Sequence, residues 1–179
     1  HLAPFLLTHE LLPLLDAAPS ARVVTVSSGS HRGARIHWQD VMYRRRYHIL
    51  GAYKQSKLAN VMFSAELNRR LGGASSVRAY AADPGLVHTR IGMKGTRGLA
   101  NWVWRRRMRG GVTPQEGAAT VVFLAVDPSV RDSTAVYWKD CRPQAPSRYA
   151  LRPDAASRLW ALSARLCGIG EGADGRSFV

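Results

Sequence analysis

Acidic residues are scarce in this chain: 12 Asp and Glu stand against 26 Lys and Arg, a formal net charge of +14 over 179 residues. That imbalance disfavours cationic partners and favours anionic ones: phosphorylated cofactors, anionic lipid headgroups or nucleic acid. Cysteine is nearly absent as well. Cys141 and Cys167 show no CxxC or metal-type spacing, so neither a zinc site nor a disulfide framework is indicated, and a reducing intracellular compartment fits best. His31, His37, His48 and His88 share no ligand spacing, so no metal is expected. No apolar run reaches the roughly 18 residues of a membrane span. The run from Leu2 to Leu15 is interrupted by His9 and Glu10 and has no basic segment ahead of it, so it reads as a buried helix rather than a signal sequence. A starting methionine is missing too; the chain opens at His1 in mid-pattern, as a fragment of a longer protein would.

What is present is a globular composition, 46% apolar and 8% aromatic, which excludes a disordered chain and fits one domain with a sizeable core. Ala3 to Leu15 places leucines almost all round a helix, which calls for cover on several sides. Arg22 to Val26 is a short β-branched run without alternation, as in a strand buried on both faces of a parallel sheet. Ser27-Ser28-Gly29-Ser30-His31 follows at its carboxyl end, where open α/β sheets bind ligands. Gly33 to Leu50 is a basic, aromatic connection without periodicity, long enough to border a cleft. A long helix begins at Gly51 and ends in the basic and glycine residues between Asn68 and Gly73.

Val77 to Ala82 is the next strand, turning through Asp83-Pro84-Gly85-Leu86-Val87-His88-Thr89. Thr113-Pro114-Gln115-Glu116 combines an N-cap, a first-turn proline and a capping-box glutamate, opening a helix that closes at Asp127-Pro128. Ala135 to Trp138 is a third strand and Asp154 to Leu166 a last amphipathic helix; the tail over 171–179 is expected to be disordered. Strands alternating with long helices indicate an α/β fold with a parallel sheet.

The stretch that carries chemistry is Tyr53-Lys54-Gln55-Ser56-Lys57. Residues four apart share one face of a helix, so Tyr53 and Lys57 lie side by side. An ammonium stabilises phenolate over phenol, which brings proton transfer into reach near neutral pH. The spacing alone also occurs by chance on surface helices; a cofactor pocket and a third polar group have to come from elsewhere in the chain.

Val24-Thr25-Val26-Ser27-Ser28, Tyr53 to Lys57 and Pro84-Gly85-Leu86-Val87-His88-Thr89, in that order, resemble the second half of a short-chain dehydrogenase/reductase. Phe5-Leu6-Leu7-Thr8, Lys57 to Phe63, Tyr137-Trp138-Lys139-Asp140-Cys141 and Arg158-Leu159-Trp160 are similar to the retinol dehydrogenase-like branch. The resemblance spans residues 1–170. It implies a partial catalytic domain, the carboxyl-terminal part of a Rossmann-like doubly wound parallel sheet with flanking helices, its first βαβ unit missing.

By that resemblance Tyr53 is the general acid or base, Lys57 supports it and bonds the nicotinamide ribose, and Ser28, rather than Ser27, orients the substrate oxygen. Pro84, Gly85 and Val87 form the turn against the nicotinamide, and Thr89 bonds its carboxamide or phosphates. The implied cofactor is NADP or NAD, with NADP preferred, and the implied substrate a small apolar, retinoid- or lipid-like alcohol or carbonyl. Asp83 departs from the branch, which has histidine before Pro-Gly, and puts a carboxylate near the nicotinamide site. The family's Thr-Gly-x-x-x-Gly-x-Gly turn, its Asn-Ala-Gly segment and its structural asparagine have no counterpart here.

Arg44-Arg45-Arg46 and Arg105-Arg106-Arg107 read equally as solvated faces or as anion-binding clusters. Trp102, Trp104 and the second arginine run fall in the family's variable substrate segment, so contact with a membrane surface is expected there rather than nucleic acid. A longer parent is expected to be intracellular and associated with the endoplasmic reticulum membrane. Two functions therefore stand: an NAD(P)-dependent oxidoreductase seen through its catalytic half, and a truncated, non-catalytic binding module. The strand Arg22 to Val26 is expected to form an unpaired sheet edge, an aggregation hazard, and the chain alone to be inactive.

Overall fold

The computed structural model describes residues 1–87, 111–131 and 133–170. Helix α1 (Leu2–Asp16) leads into strand β1 (Ala21–Val26), then α2 (Ile49–Leu71), β2 (Val77–Asp83), α3 (Pro114–Val126), β3 (Tyr137–Lys139), β4 (Arg142–Pro143) and α4 (Pro153–Leu166). His88, Thr89, the Trp102 to Arg107 cluster and the tail over 171–179 lie outside the described residues.

The sheet runs β1-β2-β3-β4, with β1, β2 and β3 parallel and β4 antiparallel to β3. β1 pairs with β2 from Ala21↔Val77 to Val26↔Ala82, and among the described residues no strand lies on its other side. β2 is the axis of the core because its side chains alternate between two helical layers. Ala79 and Ala81 face α2 and α4, meeting Leu58, Met62, Phe63, Leu67 and Leu159, while Tyr80 and Ala82 face Leu124 of α3 with Val130 and Trp138. Helices on both faces of a parallel sheet make this part of a doubly wound fold.

The local signals explain most boundaries. Thr113 and Glu116 form the reciprocal capping box at the start of α3. α2 begins two residues before Gly51, because His48 caps it: its Nδ1 accepts the Gly51 N–H at 3.0 Å. It ends at Gly72, whose φ of +71° suits glycine.

Two expectations differ from the fold. α1 is covered along one stripe only, through Phe5, Thr8 and Leu12, because among the described residues it packs mainly against β1 and α4; Leu7 and Leu14 are exposed. β4 has no sequence signal. Its hairpin turns on Asp140 and Cys141, both at positive φ (51° and 55°), where glycine or asparagine normally announces such a turn. The Cys141 N–H donates to Thr120 Oγ1 at 3.1 Å, one contact that holds the turn.

β3 first pairs at Ala81, so the β2 backbone before it needs another partner. Asn68 on α2 supplies one: its amide accepts the Ala79 N–H and donates to the Ala79 carbonyl, both at 2.8 Å. Glu66, fully buried on the same helix, accepts from Arg69, Arg70 and Ser157, and these bonds outweigh desolvation and hold its carboxyl below the usual range. Asn68→Ala strands a buried donor and acceptor on β2 and is expected to cost about 2–3 kcal/mol of stability, read as a lower urea midpoint; an unchanged midpoint would show that Asn68 does not complete the ladder.

Candidate active site

Helix α2 passes the carboxyl end of β1, and three hydrogen bonds hold it there. Ser27 Oγ donates to the Lys57 carbonyl at 2.8 Å. Lys57 Nζ and Asn60 Nδ2 both donate to the Val26 carbonyl, at 3.1 and 3.0 Å. The buried Ser27 hydroxyl is thus spent on architecture. Ser28, half-buried beside it, caps the short 3-10 turn Gly29–His31 by accepting the Ser30 N–H at 3.2 Å, which leaves its own O–H free to donate. Capping and polarising a substrate oxygen are therefore compatible in one hydroxyl.

Tyr53 stands exposed one turn before Lys57, whose Nζ lies 5.6 Å from the centre of the phenol ring. The ammonium faces the ring as well as the Val26 carbonyl, a cation–π arrangement. Burial lowers the Lys57 pKa, and the Asp83 carboxylate opposes that shift. Lys57 keeps N–H donors beyond the one given to Val26.

The turn after β2 is shaped by Asp83. Its Oδ1 accepts the Gly85 N–H at 2.9 Å, and Gly85 adopts φ +73°, which a side chain would strain. Val87 forms a parallel bridge to Val112, and Gly117 lies so close beneath it that a Cβ there would collide with Val87 Cγ2. Pro84, Gly85 and Val87 therefore form one corner at the carboxyl end of β2.

Behind this corner lies a buried polar network that sequence reasoning did not find. The Tyr137 hydroxyl donates to Asp83 Oδ2 at 2.5 Å. Burial first, and the Asp83 bond second, push the Tyr137 phenol well above its ordinary pKa, so it remains a donor. His31, 0% exposed, packs 4.7 Å from the Tyr137 ring centre. Its Nε2 faces the Ser147 N–H at 3.0 Å, which can only donate, so Nδ1 carries the hydrogen and donates to the Ser28 carbonyl at 2.8 Å. Burial lowers the His31 pKa; the Ser28 bond and Asp83 oppose, and Arg32 adds to the lowering. Asp83 is thus engaged beneath the turn, and the network joins the ends of all three parallel strands. Nothing in the spacing of residues 31, 83 and 137 announces this. Gln55 was missed likewise: buried on α2, it accepts the His37 N–H at 2.7 Å and donates to the Val41 carbonyl at 2.8 Å, tying down the connection before the helix.

No group of three or more metal-ligating residues occurs among the described residues, and both cysteines are free thiols. For a nicotinamide cofactor the fit is partial. Lys57 with donors to spare and the Pro84-Gly85 corner suit its nicotinamide–ribose end, while no glycine-rich cradle for the pyrophosphate is in the sequence.

No family model matches the chain. Single proteins do. It is 37% identical to human retinol dehydrogenase 12 over 169 residues, covering 94% of this chain and 52% of that protein. It is 35% identical to mouse retinol dehydrogenase 11 over 169 residues (94% and 52%). With bovine dehydrogenase/reductase SDR family member 13 it shares 35% identity over 190 residues (99% and 48%). The chain spans about half the length of the curated relatives it matches. A crystal structure of an uncharacterised protein from Mycobacterium paratuberculosis superposes with a TM-score of 0.64 at 35% identity, covering 94% of this chain and 56% of that one. Over nearly its whole length the chain is similar to members of the short-chain dehydrogenase/reductase family. Within that family its relatives are of the retinol dehydrogenase branch.

His31 makes the fold sensitive to pH. Its folded pKa lies below the unfolded value of about 6.5, so the unfolded chain takes up a proton that the folded chain refuses. This contribution to stability is complete above about pH 6.5 and declines as pH falls below it. Urea midpoints are expected to drop between about pH 7.5 and pH 5.5, and His31→Gln is expected to reduce that drop; an equal drop in the variant would remove His31 as its source.

Proposed function

We propose that this chain carries the proton-handling side of an NAD(P)-dependent oxidoreductase that interconverts an alcohol and a carbonyl on an apolar, retinoid- or lipid-like substrate. The observation that supports it best is the junction of α2 with β1, where Ser28, Tyr53 and Lys57 are presented from one strand end and one helix start. The names of the relatives support the substrate class.

In this reading the Ser28 O–H donates to the substrate oxygen and orients it. Tyr53 Oη gives a proton to that oxygen when a carbonyl is reduced and takes it when an alcohol is oxidised. Lys57, cationic beside the ring, stabilises the phenolate that either direction passes through. The bound nicotinamide accepts or supplies hydride. Lys57 and Tyr53 would hold its ribose, and Pro84, Gly85 and Val87 its nicotinamide end, with Thr89 added on the sequence motif alone. NADP is taken as the first choice over NAD because a basic surface favours the additional phosphate.

Without a pyrophosphate cradle, this chain on its own is expected to show no saturable nicotinamide binding when titrated and followed by tryptophan fluorescence; saturation would overturn that part of the reading. In a full-length enzyme carrying the chain, Tyr53→Phe is expected to lower kcat at least about a hundredfold while cofactor affinity is retained. Carbonyl reduction near the unmodified rate would sink the mechanism.

A further inference from the structure

Residues 44–50, Arg-Arg-Arg-Tyr-His-Ile-Leu, are exposed without a break, immediately ahead of the helix that carries Tyr53. Tyr47 is 72% exposed, Ile49 55% and Leu50 53%, and Met42 is exposed just before them. Bulky apolar side chains are not ordinarily left in water beside three cations. The backbone here is also fixed. Asp40 accepts the Arg44 and Arg45 N–H groups at 2.8 and 2.9 Å, His48 caps α2, and the Tyr43 ring packs over Gly51. Asp40 thus serves the turn, and among the described residues Arg44, Arg45 and Arg46 make no ion pair.

A second stretch extends the surface. Arg32 donates to the Ala145 carbonyl at 2.7 Å, Arg35 lies 4.7 Å over the Tyr149 ring and Arg158 4.2 Å over Trp38, which clamps residues 32–50 to residues 142–158. The two stretches hold nine arginines against two acids, Asp40 and the Arg152-paired Asp154. Leu151, exposed, adds another apolar tip.

We propose that this lip docks on an anionic lipid surface, with the arginines at headgroup level and Tyr47, Ile49 and Leu50 entering the acyl boundary. The charge selects an anionic partner, and the aliphatic tips select lipid over nucleic acid: they gain by leaving water, whereas a phosphate backbone offers them nothing. The docking stands apart from the oxidoreductase reading, since it uses no catalytic residue. It sets Tyr53 one turn of helix from the membrane.

The test is flotation of the full chain, carried on a soluble fusion partner, with vesicles of phosphatidylcholine alone and of phosphatidylcholine with about one third phosphatidylserine. Aggregated protein stays at the bottom and vesicle-bound protein rises. Flotation is expected with the anionic vesicles only. Arg44→Gln with Arg45→Gln and Arg46→Gln is expected to weaken it about a hundredfold, roughly fivefold for each basic residue at the surface. Ile49→Ser with Leu50→Ser is expected to weaken it while salt sensitivity remains. Arg22→Gln with Arg78→Gln and Arg131→Gln, the first two at the opposite strand ends, is expected to leave it unchanged. Equal flotation with both vesicles, an unaffected lip variant, an equal loss in the control triple, or preference for duplex DNA over anionic vesicles would each overturn the proposal. None of these outcomes bears on proton transfer by Tyr53, because no turnover is read.

Discussion

The carbonyl of Val26 is the point on which the candidate site depends. It is the last acceptor of β1, and it receives both the Lys57 ammonium and the Asn60 amide, while the next residue, Ser27, reaches back to the Lys57 carbonyl. Strand and helix are thereby fixed in rotation and height together. A carbonyl has two lone pairs, so this double acceptance uses its full capacity, and the residue that orients the ammonium is part of the frame that holds the helix. Tyr53 and Ser28 inherit their positions from this knot.

A second layer supports the first. The Tyr137–Asp83 hydrogen bond and the Ser28–His31–Ser147 hydrogen bonds lie against each other through the His31 and Tyr137 rings, beneath the end of β2 and the Ser28 turn. The neutral imidazole needs its Nδ1 hydrogen for Ser28, and the phenol needs its hydrogen for Asp83. Such bonds specify geometry more than they add stability, because a buried donor or acceptor that loses its partner is left unsatisfied.

How legible this was from the sequence depended on whether the signal was local. The capping box at Thr113 and Glu116, the glycine end of α2 and the β-branched run of β1 are written within a few neighbouring residues, and each stands where expected. The alternation of strand and helix carried the α/β class, and the motifs in order carried the family. The Tyr53 and Lys57 pairing was readable from helical period alone. The Asp83–Tyr137 bond, the tautomer of His31 and the bridging amide of Asn68 join residues far apart in the chain or spend ordinary polar residues on backbone, and no spacing encodes them. The Asp140-Cys141 turn was hidden differently, by placing non-glycine residues where the backbone asks for glycine.

The alanines of β2 have a further consequence. Ala79 and Ala81 touch the layer of α2 and α4, so on that face these helices meet β2 across methyl groups, whereas Tyr80 stands with Ala82 on the α3 face. Close-packed interiors transmit added volume as displacement. A methylene gained on the Ala81 side would lift α2 and carry the tyrosine with it. The strand layer beneath the candidate site is thus closed to bulkier side chains, and any change in the shape of that site has to come from the connections beyond the strand ends.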